Sequence, residues 1–335
     1  MEHFIKYVHI KNFKSIADLR LEDCKRINLF LGYPNVGKSN VLEALGLFSV
    51  PFLDYKESLK KLIRIENKSE LFYDLTDNKC HISTDAKSIG IQLKENLSIL
   101  LNKQRYYHLS TDNKMGRKTP FAHGAPKKNI PNNIKRYIFK SDNKWKSNKD
   151  NQLFPPFGEN IIDVLSYNPN VSEVKAWMKQ EFKKFGLEYV LDKSSNSLKV
   201  QKRLNDDEVF ILPYSSIADT LQRLIFYKTA IASNKNSVLL FEEPEAHAFP
   251  PYISDMTHDV INAKTNQFFM VTHSPFIVND FIEKEDVRRE TAIYVFDYRD
   301  NQTVVKRLTD KDVDEVYNYG LDMFFGIERY LRNEQ

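Results

Sequence analysis

The sequence has few cysteines and no long apolar run, and these two absences narrow the function classes open to it. Cys24 and Cys80 are the only cysteines among 335 residues and form no C-x-x-C pair, so neither a disulfide framework nor a cysteine-based zinc site is expected. No apolar run reaches the roughly 18 residues that a membrane-spanning helix needs. The first residues lack the basic region and apolar stretch of a secretory signal. We therefore expect a cytoplasmic protein with no membrane contact.

Positive charge is concentrated in the middle of the chain, although the net charge is only +4. Residues 101–150 hold 13 Lys and Arg against three Asp, together with prolines and glycines that favour loops. Three interpretations stay open: the segment contacts DNA, it docks an acidic partner protein, or it is a solvated loop. Charge reversal at Lys127, Lys128, Lys135 and Arg136 would test the first of these.

The most informative motif is a phosphate-binding loop at residues 32–39. Its sequence, GYPNVGKS, matches G-x-x-x-x-G-K-[ST], with an apolar strand predicted before it at 27–31 and a helix predicted to start at Lys38. In this setting the glycines let successive N–H groups face one anion at a helix N-terminus. Lys38 is expected to reach the β- and γ-phosphates of ATP, and the Ser39 hydroxyl to bind Mg²⁺. The residues predicted to hold the nucleotide here are Gly32, Asn35, Val36, Gly37, Lys38, Ser39 and Asn40.

Two further predicted strands end in side chains suited to phosphate chemistry. A very apolar strand at 237–241 runs into Glu242 and Glu243, and the edge of a parallel sheet would bring both acids beside the phosphates. Glu242 is expected to hold the Mg²⁺, and Glu243 to orient and deprotonate the attacking water. A second strand, at 267–271, leads to His273, which is expected to hydrogen-bond the γ-phosphate and sense its loss.

A serine pair, Ser215 and Ser216, precedes a helix predicted from about Ala218 to Ser233. Hydroxyl groups at a helix N-terminus serve as caps, and a free helix N-terminus with hydroxyls also binds anions. Both interpretations stay open, and in the second the serines contact a nucleotide.

Together these segments resemble the ABC-type ATPases of the SMC, RecF and OLD group, and within it the defence-associated ATPases. The motifs that carry the resemblance are NFKSI at 12–16, GYPNVGKSN at 32–40, EEPEAHAFP at 242–250 and THSP at 272–275. The resemblance implies an α/β fold, namely an ABC-type ATPase core with a mixed sheet, flanking helices and an antiparallel β lobe. The core would be split between 1–50 and 205–335, with an α+β insertion at 51–204.

Two features depart from the pattern of the group. Glu242 stands where the group has an aspartate, which is one methylene shorter, so the Mg²⁺ geometry and the turnover rate are open. The helix that carries a glycine signature in the group presents Ser216, Ala218 and Asp219 here. In the group this helix closes over the nucleotide of another subunit, so the resemblance implies a homo-oligomer, a dimer or larger.

The resemblance implies a slow ATPase, for which three roles stay open. The short insertion is typical of OLD-like antiphage defence ATPases, whose activity is coupled to a separately encoded effector, a toxin or nuclease. The alternatives are a RecF-like DNA repair or recombination ATPase and a nucleotide-dependent assembly protein with little turnover. A built-in nuclease is not expected, because little sequence follows His273 and the carboxylates Asp312 and Asp314 are predicted to open a helix.

Overall fold

The computed structural model describes residues 4–52, 59–75, 78–94, 97–102, 133–141, 145–147, 150–319, 323–324 and 326–331, and the main chain alone of 104–109. The strands are β1 Val8–Phe13, β2 Ile16–Leu21, β3 Ile27–Gly32, β4 Lys79–Thr84, β5 Ser88–Leu93, β6 Leu97–Leu101, β7 Gln104–Leu109, β8 Ile134–Tyr137, β9 Glu188–Asp192, β10 Ser197–Arg203, β11 Val209–Pro213, β12 Val238–Glu242, β13 Gln267–Val271, β14 Thr291–Arg299 and β15 Gln302–Arg307. The helices are α1 Lys38–Gly46, α2 Ile161–Tyr167, α3 Ser172–Lys184, α4 Asp219–Ser233, α5 Pro250–Asn262, α6 Pro275–Glu283, α7 Glu285–Arg289, α8 Asp310–Tyr319 and α9 Ile327–Leu331.

The chain divides into two compact units. The first contains the described parts of 1–136, 236–243 and 266–335, and the second contains those of 137–235 and 244–265. The proposed split of the chain at 51 and 205 stays a prediction. Within the described residues, none of the helices combines the length and hydrophobicity needed to cross a bilayer.

A mixed sheet in the first unit has the strand order β15-β14-β3-β13-β12-β8. Strands β14, β3, β13 and β12 run parallel to their neighbours in this series, and β15 pairs antiparallel with β14. Every residue of β3 and of β13 is buried, as expected for parallel strands covered on both faces. Burial on both faces of the sheet therefore explains the largely apolar sequences from which these strands were predicted.

A second sheet of the same unit is antiparallel throughout, in the order β2-β1-β4-β5-β6-β7. Residues alternate between buried and exposed along β4 and β6, because one face packs on the core and the other does not. The sheet joins β1 and β2, from the proposed ATPase segment, to β4–β7, from the proposed insertion.

The core of the first unit is built around aromatic side chains of the mixed sheet. The Phe30 ring lies 5.0 Å from the Phe296 ring, 5.8 Å from Tyr294 and 6.0 Å from Phe269, centroid to centroid. Such tilted and edge-to-face contacts stabilise aromatic clusters beyond their buried area. They fix β3, and with it the loop that follows it, against the neighbouring strands.

The second unit combines the antiparallel sheet β11-β10-β9 with helices α2–α5. The hairpin of β9 and β10 and the helix at 172–184 agree with the patterns in the sequence. Helix α4 begins at Asp219, one residue after the predicted start.

One predicted helix is wrong. Apolar residues at helical spacing, Tyr55, Leu59, Leu62 and Ile63, predict a helix over 52–70. Tyr55 lies outside the described residues, and the described part of this range forms short 3₁₀ turns at Leu59–Lys61 and Lys68–Leu71. The side chains of Leu59, Leu62 and Ile63 are nevertheless buried. Asn67 has an extended backbone conformation and forms a capping box with Glu70, so a separate turn begins there.

Candidate functional site

Three parallel strands bring the predicted site residues to one edge of the mixed sheet. Phe30 of β3 pairs with Val271 of β13, and Val271 pairs with Glu242 of β12. The phosphate loop, the two acids and His273 all follow these strand ends. Their meeting at the carboxyl edge is the arrangement in which open α/β sheets bind ligands.

The loop owes its shape to backbone conformations that favour glycine. Gly37 has φ 98°, and a Cβ there would clash with the hydroxyl group of Thr303. Gly32 has φ 151°, and a Cβ there would lie 2.6 Å from the Phe296 carbonyl oxygen. Asn35 also has a left-handed conformation, with φ 64°, and Val36 is buried. Helix α1 then starts at Lys38, so its unpaired N–H groups belong to the loop.

Lys38 lies across the loop and is buried. Its Nζ donates to the carbonyl oxygens of Gly32, at 2.8 Å, and Tyr33, at 2.7 Å. Burial lowers the pKa of Lys38 to about 8, although the nearby carboxylates of Glu243 and Glu242 oppose this shift. A buried ammonium held by carbonyl groups is suited to bind the oxygens of a polyphosphate.

Ser39 lies close to Glu242, and its hydroxyl is one of the groups that lower the pKa of the Glu242 carboxylate. Burial alone would raise the pKa of Glu242, but the charges of Arg136 and Arg64 and the Ser39 hydroxyl hold it below its ordinary value. Glu242 is therefore ionised at neutral pH.

Glu243 and His273 form the exposed side of the site. Glu243 has a left-handed backbone conformation, with φ 43°, and its N–H donates to the Val271 carbonyl oxygen at 2.9 Å. Its Oε1 lies 3.6 Å from His273 Nε2. Burial and the charge of Lys38 lower the pKa of His273 more than Glu243 raises it, so the imidazole is neutral at neutral pH.

Asn40 is held by residues from other parts of the first unit. Its Nδ2 donates to Ser15 Oγ at 2.7 Å, and Ser15 Oγ lies 2.6 Å from Thr303 Oγ1. The turn after β1 and the start of β15 are thereby joined to helix α1. In this structure the Asn40 amide N–H group supports the loop, and its predicted contact with a nucleotide stays a prediction.

A charged network beside the site was not anticipated from the sequence. Glu43 is fully buried in α1, where its carboxylate pairs with the ammonium of Lys14 and with Arg64 Nε at 2.9 Å. Arg64 also donates to Glu242 at 2.8 Å, and Arg136 donates to the same carboxylate at 2.7 Å. The signal in the sequence was Glu43 itself, because a carboxylate inside an apolar helix needs a cation nearby.

The serine pair belongs to the second unit. Tyr214–Ser216 form a 3₁₀ turn, and the residue that precedes α4 is Ala218, with no side-chain cap. The interpretation of Ser215 and Ser216 as caps of this helix is therefore wrong. The Asp219 carboxylate accepts from Arg223 Nε at 2.7 Å and lies 3.3 Å from His247 Nδ1, so its negative charge is matched.

Two cations of the basic segment are not available to DNA in this structure. Lys135 and Arg136 lie in β8 and are each only 3% exposed. They are unsuited to the charge-reversal test proposed from the sequence, because reversal there would disturb the core. Lys127 and Lys128 lie outside the described residues.

Of the two carboxylates predicted to serve the start of a helix, Asp312 does so at α8, whereas Asp314 lies beyond the first turn. Asp312 Oδ2 accepts from the Thr309 N–H and hydroxyl groups at 2.8 and 2.7 Å, and the Asp312 N–H donates to Thr309 Oγ1 at 3.1 Å. Asp314 pairs with Arg288 at 2.8 Å. The reciprocal bonds between Thr309 and Asp312 form a capping box.

The residues present fit a magnesium nucleotide. Ser39 and Glu242 place a hydroxyl and a carboxylate, hard oxygen ligands of the kind that Mg²⁺ prefers, close enough to influence each other. The loop around Gly37 is closely packed, and it leads into a helix N-terminus suited to phosphate.

Comparison with known proteins gives short sequence matches. No profile of a known protein family matches the chain. An uncharacterised protein of Methanocaldococcus jannaschii is 44% identical over 61 residues, which is 18% of this chain and 26% of the relative. An ATP/GTP phosphatase of Helicobacter pylori is 32% identical over 102 residues, which is 27% of this chain and 28% of the relative. The chain thus matches only a minor part of the length of these curated relatives.

Comparison with solved structures covers nearly the whole chain. The head domain of an SMC protein bound to the C-winged-helix domain of ScpA aligns with TM-score 0.55 and 14% identity, over 93% of this chain and 99% of that chain. The SMC head with an extended coiled coil, bound to the C-terminal domain of ScpA from Pyrococcus furiosus, aligns with TM-score 0.58 and 11% identity, over 94% and 99%. The chain has the fold of an SMC head. That fold is the ABC-type ATPase fold predicted from the motifs.

Proposed function

We propose that this chain binds Mg·ATP at the phosphate loop and hydrolyses it slowly. The observation that carries the proposal is the convergence of Lys38, Ser39, Glu242, Glu243 and His273 at one edge of the parallel strands. The SMC-like fold and the short match to an ATP/GTP phosphatase support the same activity.

Each residue has a role in this proposal. Lys38 binds the β- and γ-phosphates, and Ser39 and Glu242 hold the Mg²⁺, which when bound neutralises charge on the phosphates. Glu243 orients the attacking water and accepts its proton. His273, neutral at neutral pH, hydrogen-bonds the γ-phosphate. The roles of Glu243 and His273 require side chains that solvent can reach, and both are partly exposed.

We further propose that ATP joins subunits in a homo-oligomer, with Ser215 and Ser216 of one subunit contacting the nucleotide of another. The pairing of Asp219 with Arg223 and His247 supports this contact, because the carboxylate is not a free negative charge. The SMC heads of similar fold are bound to a separate protein, ScpA. By analogy, we propose that a separate effector, a toxin or nuclease, is controlled by this subunit in a cytoplasmic antiphage defence system of a prokaryote. The motif order and the short insertion support this role.

A second candidate is an assembly protein with little turnover. The observation that favours it is the pairing of Glu242 with two arginines, which occupies the carboxylate expected to hold the metal. A RecF-like role on DNA has weaker support, since Lys135 and Arg136 are buried. A contact with DNA would have to be made by the other basic residues of 101–150.

The test is ATP turnover and assembly by purified wild-type protein and Glu243→Gln. The proposal predicts slow turnover in the wild type, none in Glu243→Gln, and an ATP-dependent rise in molar mass that persists in the variant. Light scattering measures the mass, and Glu285→Gln is the control for loss of an exposed carboxylate. Assembly without turnover in the wild type would favour the second candidate. Equal turnover in the wild type and Glu243→Gln would remove the assigned base.

A further inference from the structure

Both oxygens of the Glu242 carboxylate are paired with arginines. Oε1 accepts a hydrogen bond from Arg64 Nη2 at 2.8 Å, and Oε2 accepts one from Arg136 Nη2 at 2.7 Å. Ser39 lies near the same carboxylate and helps to lower its pKa. This is a crowded environment for a side chain expected to hold a metal ion.

The two arginines are held in different ways. The Arg136 side chain is only 4% exposed, its main-chain N–H donates to Ser49 Oγ at 2.9 Å, and its guanidinium also donates to the Leu62 carbonyl oxygen. It is a fixed part of the interior. The Arg64 side chain, by contrast, is 66% exposed. Of the two arginines, Arg64 is therefore the one whose contact with Glu242 can be replaced by another ligand.

Arg64 is anchored independently of Glu242. Its main-chain N–H and its Nε donate to Glu43 Oε1 at 3.2 and 2.9 Å, and its carbonyl oxygen accepts from Lys14 Nζ at 2.8 Å. Glu43 is fully buried. These contacts hold the backbone and the Nε end of the guanidinium, so Nη2 can leave Glu242 without release of the residue.

A divalent cation and Arg64 cannot both use Oε1 of Glu242. Mg²⁺ binds carboxylate oxygens at about 2.0–2.1 Å, and a guanidinium on the same oxygen would compete for its lone pairs and repel the cation. We propose that Arg64 is a positioning residue that competes with the divalent cation for Glu242 and thereby sets the affinity of the site for the metal. On cation binding, Arg64 leaves Glu242 and stays attached to Glu43. This inference rests on the proposed function, since it takes Glu242 as the metal ligand.

The test measures Mn²⁺ binding by electron paramagnetic resonance, with and without ADP, in the wild type, Arg64→Met, Arg64→Lys and Arg289→Met. Arg289 is an exposed arginine paired with Glu285 one helical turn away, so its loss is the control for removal of a surface charge. Loss of a partly exposed ion pair predicts a Kd for Mn²⁺ about two- to fivefold lower in Arg64→Met. Arg64→Lys keeps the charge but lacks the fork that spans Glu43 and Glu242, so its Kd also falls. Arg289→Met matches the wild type.

Two results are decisive against the inference. An unchanged or higher Kd in Arg64→Met would overturn it. A Kd for Arg64→Lys equal to that of the wild type, beside a lower one in Arg64→Met, would show that net charge alone is responsible. Failure of the proposed function is recognised separately, because the wild type would then bind no fluorescent ATP analogue. In that case the Kd values for Mn²⁺ without ADP, in the wild type and Arg64→Met, still test whether Arg64 competes with the cation.

Discussion

His273 Nε2 lies 3.6 Å from Glu243 Oε1, just beyond the ends of two adjacent parallel strands. One group can accept a proton from water and the other is a neutral imidazole. Their proximity makes the two roles interdependent.

His273→Ala is predicted to lower ATP turnover by about 10²-fold, which is the usual cost of removing one donor from a site of developing charge. The affinity for ATP should change much less. Steady-state kinetics and a fluorescent ATP analogue measure the two quantities, and His258→Ala, an exposed histidine of α5, is the control. Turnover in His273→Ala equal to that of the wild type would contradict the role assigned to His273.

Nucleotide binding is predicted to take up a proton at alkaline pH. Burial lowers the pKa of Lys38 to about 8, so above that pH the amine is neutral in the free protein. A bound triphosphate favours the ammonium, hence affinity falls as pH rises past the pKa of Lys38 and binding takes up protons there. Calorimetry in buffers of different ionisation enthalpy should give almost no uptake from Lys38 near pH 7 and up to about one proton near pH 9. The same uptake at both pH values would contradict this assignment.

Glu43→Gln is predicted to destabilise the first unit by about 3–5 kcal/mol, because it leaves the ammonium of Lys14 buried without its carboxylate. Adding Lys14→Met should recover part of the loss, since the uncompensated charge is then gone. Denaturant unfolding measures both changes. Glu285→Gln, in an exposed pair with Arg289, should cost less than about 1 kcal/mol. Additive losses for Glu43→Gln and Lys14→Met would show that the pair is not coupled.

Gly37→Ala is predicted to abolish nucleotide binding, whereas Gly186→Ala should retain it. Both glycines have positive φ, 98° and 67°, so both alanines meet the same kind of backbone strain. Only at Gly37 would the new Cβ also clash with Thr303 and Ser15, while at Gly186 it meets nothing within 4 Å. Binding of a fluorescent ATP analogue separates the two variants. Normal binding by Gly37→Ala would show that the close packing of the loop is not needed.

The strands that build the site could be predicted because their cause is local. Strands β3, β12 and β13 are largely apolar, and each leads into the motif residues that identify the sheet edge. The phosphate loop likewise requires two glycines at fixed spacing. Short stretches of sequence are therefore enough to predict these strands and the phosphate loop.

The charged network could not be predicted because its members are far apart in the chain. Arg64 and Glu242 are 178 residues apart, and Arg136 and Glu242 are 106 apart. No periodic pattern joins them. The false helix at 52–70 has a related cause: Leu59, Leu62 and Ile63 are buried by tertiary packing although the chain there follows short turns. The spacing of apolar residues alone does not distinguish a helix from short turns whose side chains are buried.

Calorimetric titration of Mg·ATP into the wild type and Lys38→Ala tests whether the phosphate loop binds a nucleotide. We expect saturable binding of one nucleotide per chain in the wild type, none in Lys38→Ala, and normal binding in the control Lys311→Ala, where an exposed lysine is lost. No heat in the wild type, or equal binding in Lys38→Ala, would contradict the claim that a triphosphate binds between the loop, Glu242, Glu243 and His273.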